Sequence, residues 1–498
     1  MTEDQKSYRQ IFKATSLFGG VQIFNIVITI IRSKIIAVLL GPAGMGIAGL
    51  LTSTTSLVGG ITNFGLGTSS VRDVAAANES GDANRISRVV TVFRRLVWIT
   101  GTLGTIVTLV LAPWLSQLTF GSKEYTLAFR WLSFTLLLNQ LASGQSVLLQ
   151  GMRRLKLLAR ANMAGSLIGL LISVPVYYFW RIDGIVPAII ITSIASLAIA
   201  WYFASKIKVN KAVVERRDVI TEGQGMLKMG FMLSISGLIT TASSYVIRIY
   251  ISNAGGVEDV GLYSAGFAIV STYVGLVFTA MSTDYYPRLS GVAQDNRQAA
   301  KLINQQAEVA VMILAPILTV FLIFINFAVI LLYSSKFTPV NGMIHWAALG
   351  MYFKAASWSV AYILLAKGAS NLFLKNELIA NIYMLGFNIL GYKTWGLNGL
   401  GVSFLLGYLA YLFQVFFMAK LKFQFSFDSE FKRVFLFQFL MGLCCFLIIK
   451  VIPVPWAYFA GMPVIAYSTW YSLRGLDRRM GLRTLLQRKV DDVRSKKG

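Results

Sequence analysis

Apolar runs of about twenty residues or more follow one another along almost the whole chain, and no other feature limits the fold so strongly. A bilayer core of about 30 Å is crossed by about 20 helical residues at 1.5 Å each. In lipid every backbone N–H and C=O must find its partner inside the structure, which leaves helices or closed barrels. The runs are continuous rather than alternating, so they read as helices. Fourteen spans are expected, near 11–40, 45–70, 90–118, 127–151, 157–180, 184–205, 226–252, 260–286, 305–333, 343–366, 372–394, 396–419, 433–453 and 456–473. Charged residues make up only 13% of the chain, against about 25% in soluble domains. The fold class is an all-α polytopic membrane protein.

The net charge of +25 would suggest nucleic acid in a soluble protein. Here its distribution gives another meaning. With the N-terminus placed in the cytoplasm, the inner loops collect the cations: Arg85, Arg88, Arg94 and Arg95, then Arg153, Arg154 and Lys156, then Lys206 to Arg217, and so on to the tail. The outer loops are short and carry few. This is the positive-inside pattern. It places both termini inside and brings the basic loops against anionic lipid headgroups, so membrane lipids are expected partners and nucleic acid is not. The polar start, Met1 to Arg9, runs into an apolar stretch too long for a signal-peptide core and reads as an uncleaved first helix. Cys444 and Cys445 are adjacent, and His345 is the single histidine, so neither a disulfide framework nor a metal site is expected. No cofactor is expected. A Gly-x-x-x-x-Gly-Lys-Ser/Thr phosphate loop is absent, which excludes ATP hydrolysis by this chain.

The longest polar linker, 206–225, divides the chain into a six-span lobe at 1–205, a second at 226–420, and two further spans with a basic tail at 421–498. A weak internal repeat agrees. Arg32 is followed by Gly41 and Gly46, and Arg248 by Gly255 and Gly261. Both halves start inside, so the repeat runs parallel, with the binding site expected between the halves.

Four cations lie within apolar segments: Arg32, Lys34, Arg248 and Lys354. A charge at that depth costs about 2.5–3.5 kcal/mol on insertion scales and normally faces a cavity, a partner or a substrate. The carboxylates sit in loops or, as with Asp284, Glu308 and Glu377, at inner helix ends. An anionic substrate is the natural counter-charge. Gln22, Asn25, Thr29 and Arg32 share one helical face, as do Asn139, Ser143 and Gln150, and Ser244 with Arg248. Thr52 to Ser56, Asn63, Asn381 and Asn388 add polar groups on other spans. Such groups either bond helix to helix or line a wet path. Lys354 is followed by Trp358 and Tyr362, so its ammonium either meets phosphate and sugar or rests on an aromatic face.

The run Leu40-Gly41-Pro42-Ala43-Gly44-Met45-Gly46-Ile47-Ala48 resembles the Wzx-type O-antigen and enterobacterial-common-antigen flippases, polysaccharide transporters of the multidrug/oligosaccharidyl-lipid/polysaccharide exporter superfamily. Val260-Gly261-Leu262-Tyr263, Tyr286-Pro287-Arg288-Leu289-Ser290 and Leu331 to Thr338, followed by Trp346, Lys354 and Lys367, are similar too. The resemblance covers about 8–420. It implies two six-helix lobes in an inverted V in a bacterial inner membrane. The cargo it implies is an oligosaccharide on undecaprenyl diphosphate, and a polysaccharide polymerase is a candidate partner. The family's cavity cations match Lys34, Arg248 and Lys354, and Arg32 occupies the place of an arginine in related lipid II flippases. The last two spans depart from the common-antigen flippases. A multidrug and toxin exporter would want cavity carboxylates. A membrane polymerase or ligase would want a long outer loop, and none is present.

Overall fold

A computed structural model of the chain describes residues 3–207, 209, 212, 214 and 216–480, and the regular structure among them is entirely helical. The elements are α1 (Glu3–Thr62), α2 (Leu66–Glu79), α3 (Ala83–Phe120), α4 (Thr126–Gly151), α5 (Leu155–Trp180), α6 (Ile185–Ala204), α7 (Arg216–Phe267), α8 (Leu276–Gly291), α9 (Asn296–Leu332), α10 (Asn341–Ala366), α11 (Ser370–Phe423), α12 (Ser429–Val451) and α13 (Trp456–Met480). Eight helical stretches are long and apolar enough to cross a membrane, several of them kinked. Their flanks carry exposed Trp98, Trp114, Phe179 and Trp201. Such flanks suit lipid as the solvent. The expected basic linker lies partly outside the described residues, as at Lys208 and Lys211, and the tail beyond Met480 lies wholly outside them.

Three expected pairs of spans fold as continuous helices with a sharp break, so no loop separates them. In α1 the break is Gly41, at φ 67°, followed by Pro42, which has no N–H to continue the ladder. In α11 it is Trp395 and Gly396. In α7 it is Gly256, at φ 87°, one residue beyond the glycine that the repeat suggested. Positive φ favours glycine because a Cβ is strained there.

The chain forms two compact units, Met1–Gly261 with Leu332–Lys336, and Leu262–Leu331 with Phe337–Gly498. In the first unit α1, α3, α4, α5 and α6 share a core that includes Leu51, Leu115, Phe129, Leu132, Tyr177 and Ala188. The first unit also contains α7 as far as Gly261. Here the two arms of the repeat meet. A Cβ on Gly46 would fall 1.8 Å from the Val257 carbonyl oxygen, and one on Gly261 would fall 1.9 Å from that of Pro42. The contact is reciprocal, and each contact glycine lies five residues after its kink glycine. At the other end of the same helix pair, a Cβ on Gly65 would fall 2.0 Å from the Gly230 carbonyl oxygen. Glycine is required at both ends because backbone touches backbone.

In the second unit α10 is buried along most of its length. It packs with α8, α9 and α11 around Tyr285, Leu289, Ile303, Val360, Leu364 and Val415. Asp295 starts α9 by accepting N–H bonds from Gln298 and Arg297, and these hold its carboxyl below the usual range. The last two helices are joined by a buried network: Gln438 donates to Ser472 Oγ at 2.8 Å and accepts from Ser468 Oγ at 2.7 Å.

Candidate functional site

The second half of α1 presents five successive hydroxyls, Thr52 to Ser56. A hydroxyl inside an apolar helix bonds its own helix four residues back when nothing else is offered. Thr52 donates to the Ala48 carbonyl at 2.7 Å, and Thr54 to that of Leu50 at 2.8 Å. Thr52 keeps its lone pairs to accept, whereas Thr54 is buried beside Tyr245 and Thr119. On α7, Thr241 does the same toward Gly237 at 2.8 Å. The two hydroxyl faces oppose each other in the stretch between the two glycine contacts. Together they line an open cleft of about 320 Å³ bounded by Thr52, Ser53, Ser56, Thr240, Thr241, Ser244 and Arg248. Ligand sites fall at roughly 300–1,000 Å³.

Arg248 is the charge of this cavity. Its Nη1 donates to Ser53 Oγ at 3.2 Å, while its Nε is buried and unpartnered among the described residues. The lining contains no carboxylate. A guanidinium with spare donors among hydroxyls suits a phosphate or carboxylate oxyanion, because Arg offers a planar fork to such groups. Sequence reasoning missed what positions it. One turn earlier on α7, the buried Tyr245 hydroxyl lies 3.1 Å from Thr54 Oγ1 and 2.7 Å from Thr119 Oγ1. This ties α7 to α1 and α3 beside Arg248. Tyr245→Phe should lower stability by about 0.6–1 kcal/mol, read as a small drop in the thermal midpoint of purified protein. An unchanged midpoint would remove the tie.

The other expected residues fall into separate places. Arg32 bonds Tyr177 on α5, and its Nε is buried without a partner among the described residues. Asn25 shares that neighbour helix, accepting from Ser166 at 2.8 Å, and Thr29 donates to the Asn25 carbonyl at 2.7 Å. Gln22 is exposed and Lys34 half-buried. The structure therefore places the α1 polar face partly against α5. Asn63 caps the turn into α2, accepting from the Gly65 N–H at 2.7 Å. Asn139, Ser143 and Gln150 on α4 are exposed, while Gln140 bonds Thr100 at 3.0 Å.

In the second unit, Lys354 rests over three rings. Its Nζ lies 5.8 Å from the centroids of Phe278 and Phe404, and 5.1 Å from that of Tyr408. This is the aromatic-face arrangement, supplied by residues distant in sequence. Trp358 and Tyr362 pack instead with Phe278 and Tyr285, at 5.2 Å for Trp358–Phe278 and 5.5 Å for Tyr362–Tyr285. Asn381 donates to the Glu377 carbonyl at 2.8 Å, and Asn388 is half-buried.

Kinked spanning helices around a charged, hydroxyl-lined cavity have the build of a multi-pass membrane transporter. Among solved structures, "Lipid II flippase MurJ, inward closed conformation" aligns with a TM-score of 0.73 at 11% identity, covering 93% of this chain and 99% of that one. The chain belongs to the polysaccharide biosynthesis protein family, whose pattern matches residues 35–341. Among curated relatives, the "Lipid III flippase" of Escherichia coli (strain K12) is 22% identical over 385 residues, 76% of this chain and 90% of its own length. The "Putative O-antigen transporter" of Shigella flexneri is also 22% identical, over 73% of this chain and 87% of its own.

Proposed function

We propose that this protein is a flippase for undecaprenyl-diphosphate-linked oligosaccharide. It moves an O-antigen or related repeat unit from the cytoplasmic to the periplasmic leaflet of a bacterial inner membrane, with both termini cytoplasmic. The observation that carries this reading is the Arg248 cavity, cationic, rich in hydroxyls and free of carboxylates in its lining. The diphosphate is the group it suits. Arg32 and Lys34 are the further cations of the first unit, and Lys354 is the cation of the second. Exposed amides and hydroxyls, with Trp358 and Tyr362, are the groups offered to glycan. The lipid III and O-antigen relatives support this class of cargo. Alternating access of lobes 1–205 and 226–420 is the proposed mechanism, and polymerase machinery would take the product. A multidrug exporter fits the cavity less well, because a cationic drug would meet Arg248.

Purified protein in vesicles, loaded on one leaflet with the lipid-linked oligosaccharide, should exchange it between leaflets. Accessibility of the glycan to an added glycosidase reads the exchange. A rate no faster than in protein-free vesicles would overturn the proposal.

A further inference from the structure

The first unit holds a groove that shares no lining residue with the Arg248 cleft. Val90, Phe93 and Val97 on α3 and Leu141 and Leu148 on α4 form its apolar walls, with a volume of about 80 Å³. Gly144 lines it without a side chain, and a Cβ there would fall 3.1 Å from Val97 Cγ1. Arg94 and Trp98 on α3 and Gln145 on α4 complete the lining. The helix faces beside the groove are apolar and exposed, with Trp98, Ile99, Leu103 and Ile106 on α3 and Phe134 on α4. Such faces have lipid as their solvent, so the groove opens toward lipid. Sixteen residues separate the exposed Trp98 and Trp114, about 24 Å of helix. Indoles gather at the two membrane interfaces, so this spacing puts Arg94, one turn before Trp98, at headgroup level. The basic loops mark that side as the cytoplasmic one.

Two neighbouring arginines are treated differently. Arg95 Nη1 donates to the Val214 carbonyl at 2.8 Å. Arg94 makes no hydrogen bond or ion pair among the described residues, and neither does the half-buried Gln145 amide. The lining contains no carboxylate. A guanidinium offers a planar fork to phosphate oxygens, and the Gln145 amide adds donors beside it. Free phosphate would satisfy these groups and leave the aliphatic walls bare. A phosphate that carries an apolar chain matches both. The ammonium of a zwitterionic headgroup would meet no acid here, so a headgroup with a net negative charge fits better. We infer that this groove binds one anionic phospholipid of the phosphatidylglycerol type. Its phosphate rests on Arg94 and Gln145, and the start of one acyl chain lies between α3 and α4. An arginine that only snorkels to the surface would select no headgroup, whereas paired donors above an apolar slot do. The site does not depend on the flippase reading.

The test offers the purified full chain in detergent phosphatidylglycerol and phosphatidylethanolamine with identical acyl chains. Native mass spectrometry counts the lipid retained per chain. Wild type should retain one phosphatidylglycerol about tenfold more strongly than phosphatidylethanolamine. Arg94→Gln should remove that preference, and Leu141→Trp, which fills the groove, should weaken retention of phosphatidylglycerol. Arg85→Gln, on an exposed cation near the start of the same helix, should keep both. Excess glycerol 3-phosphate should not displace the lipid, because it brings no chain. If Arg94→Gln fails to fold, Gln145→Leu, expected to reduce the preference severalfold, takes its place. The site is overturned by equal retention of the two lipids in wild type, or by displacement with glycerol 3-phosphate. It is overturned equally by wild-type behaviour of the Arg94, Gln145 or Leu141 variant, or by loss of the preference in Arg85→Gln. Leaflet exchange of the oligosaccharide is measured separately, so failure here leaves the flippase reading standing.

Discussion

Arg248→Ala should slow leaflet exchange by about ten- to a hundredfold while leaving the protein folded. A hydrogen bond to a charged group contributes about 1.5–3 kcal/mol, and about 1.4 kcal/mol is a factor of ten. Arg248 brings the only charge among the residues lining the cavity, so its removal leaves a neutral hydroxyl pocket. The fold should tolerate the loss. Among the described residues the Arg248 side chain makes one hydrogen bond, to Ser53 at 3.2 Å, and the burial of its Nε without a partner among them is a cost that alanine relieves. Arg248→Lys should fall between the two, because an ammonium keeps the charge and loses the fork. In cells, Arg248→Ala should remove surface glycan and accumulate the lipid-linked repeat. Wild-type exchange by a correctly inserted Arg248→Ala protein would show that the diphosphate does not use this cavity. Lys354→Met is the comparison in the other unit. There the ammonium already has three aromatic faces, so its removal alters packing as well as charge.

The helices were legible in the sequence because lipid imposes one rule on every segment: bond the backbone internally and show apolar side chains outward. The kinks were half legible. Glycine followed by proline at Gly41 and Pro42 marks a break from residue type alone. In α7 two adjacent glycines leave the choice open, and tertiary contact settles it at Gly256, which sets Gly261 against Pro42. Helical periodicity shows which residues share a face, but it does not name the neighbour. The α1 face of Asn25 and Arg32 was visible as a stripe, yet its neighbours, Ser166 and Tyr177, both lie on α5. The hydroxyl run at Thr52 to Ser56 and the arginine at Arg248 were each visible separately. Their meeting depends on glycine contacts about 200 residues apart in sequence. Glu308 shows the same limit for charges. It reads as an acid at an inner helix end, and the structure buries it against a cation 171 residues away.

That pair leads to the largest expected effect on stability. Arg479→Ala should destabilise the second unit by about 3 kcal/mol. The Glu308 side chain is 6% exposed, and Arg479 Nε donates to its Oε2 at 2.6 Å. The same guanidinium reaches Glu430 through Nη2 at 3.1 Å, so one side chain at the end of α13 joins α9 to the start of α12. Alanine would leave the Glu308 carboxylate enclosed without its cation, and the cost comes from that stranded charge more than from the lost contact. The size belongs at the low end of the range for buried pairs, because Arg479 is 29% exposed and water screens part of the interaction. Removing both charges separates these contributions. Arg479→Leu combined with Glu308→Leu should recover most of the thermal midpoint, since a neutral apolar pair replaces a desolvated ionic one. Glu430→Gln should change the midpoint little, because that partner is 70% exposed. A double variant no more stable than Arg479→Ala would show that the bond geometry, and not the buried charge, holds α13 against α9.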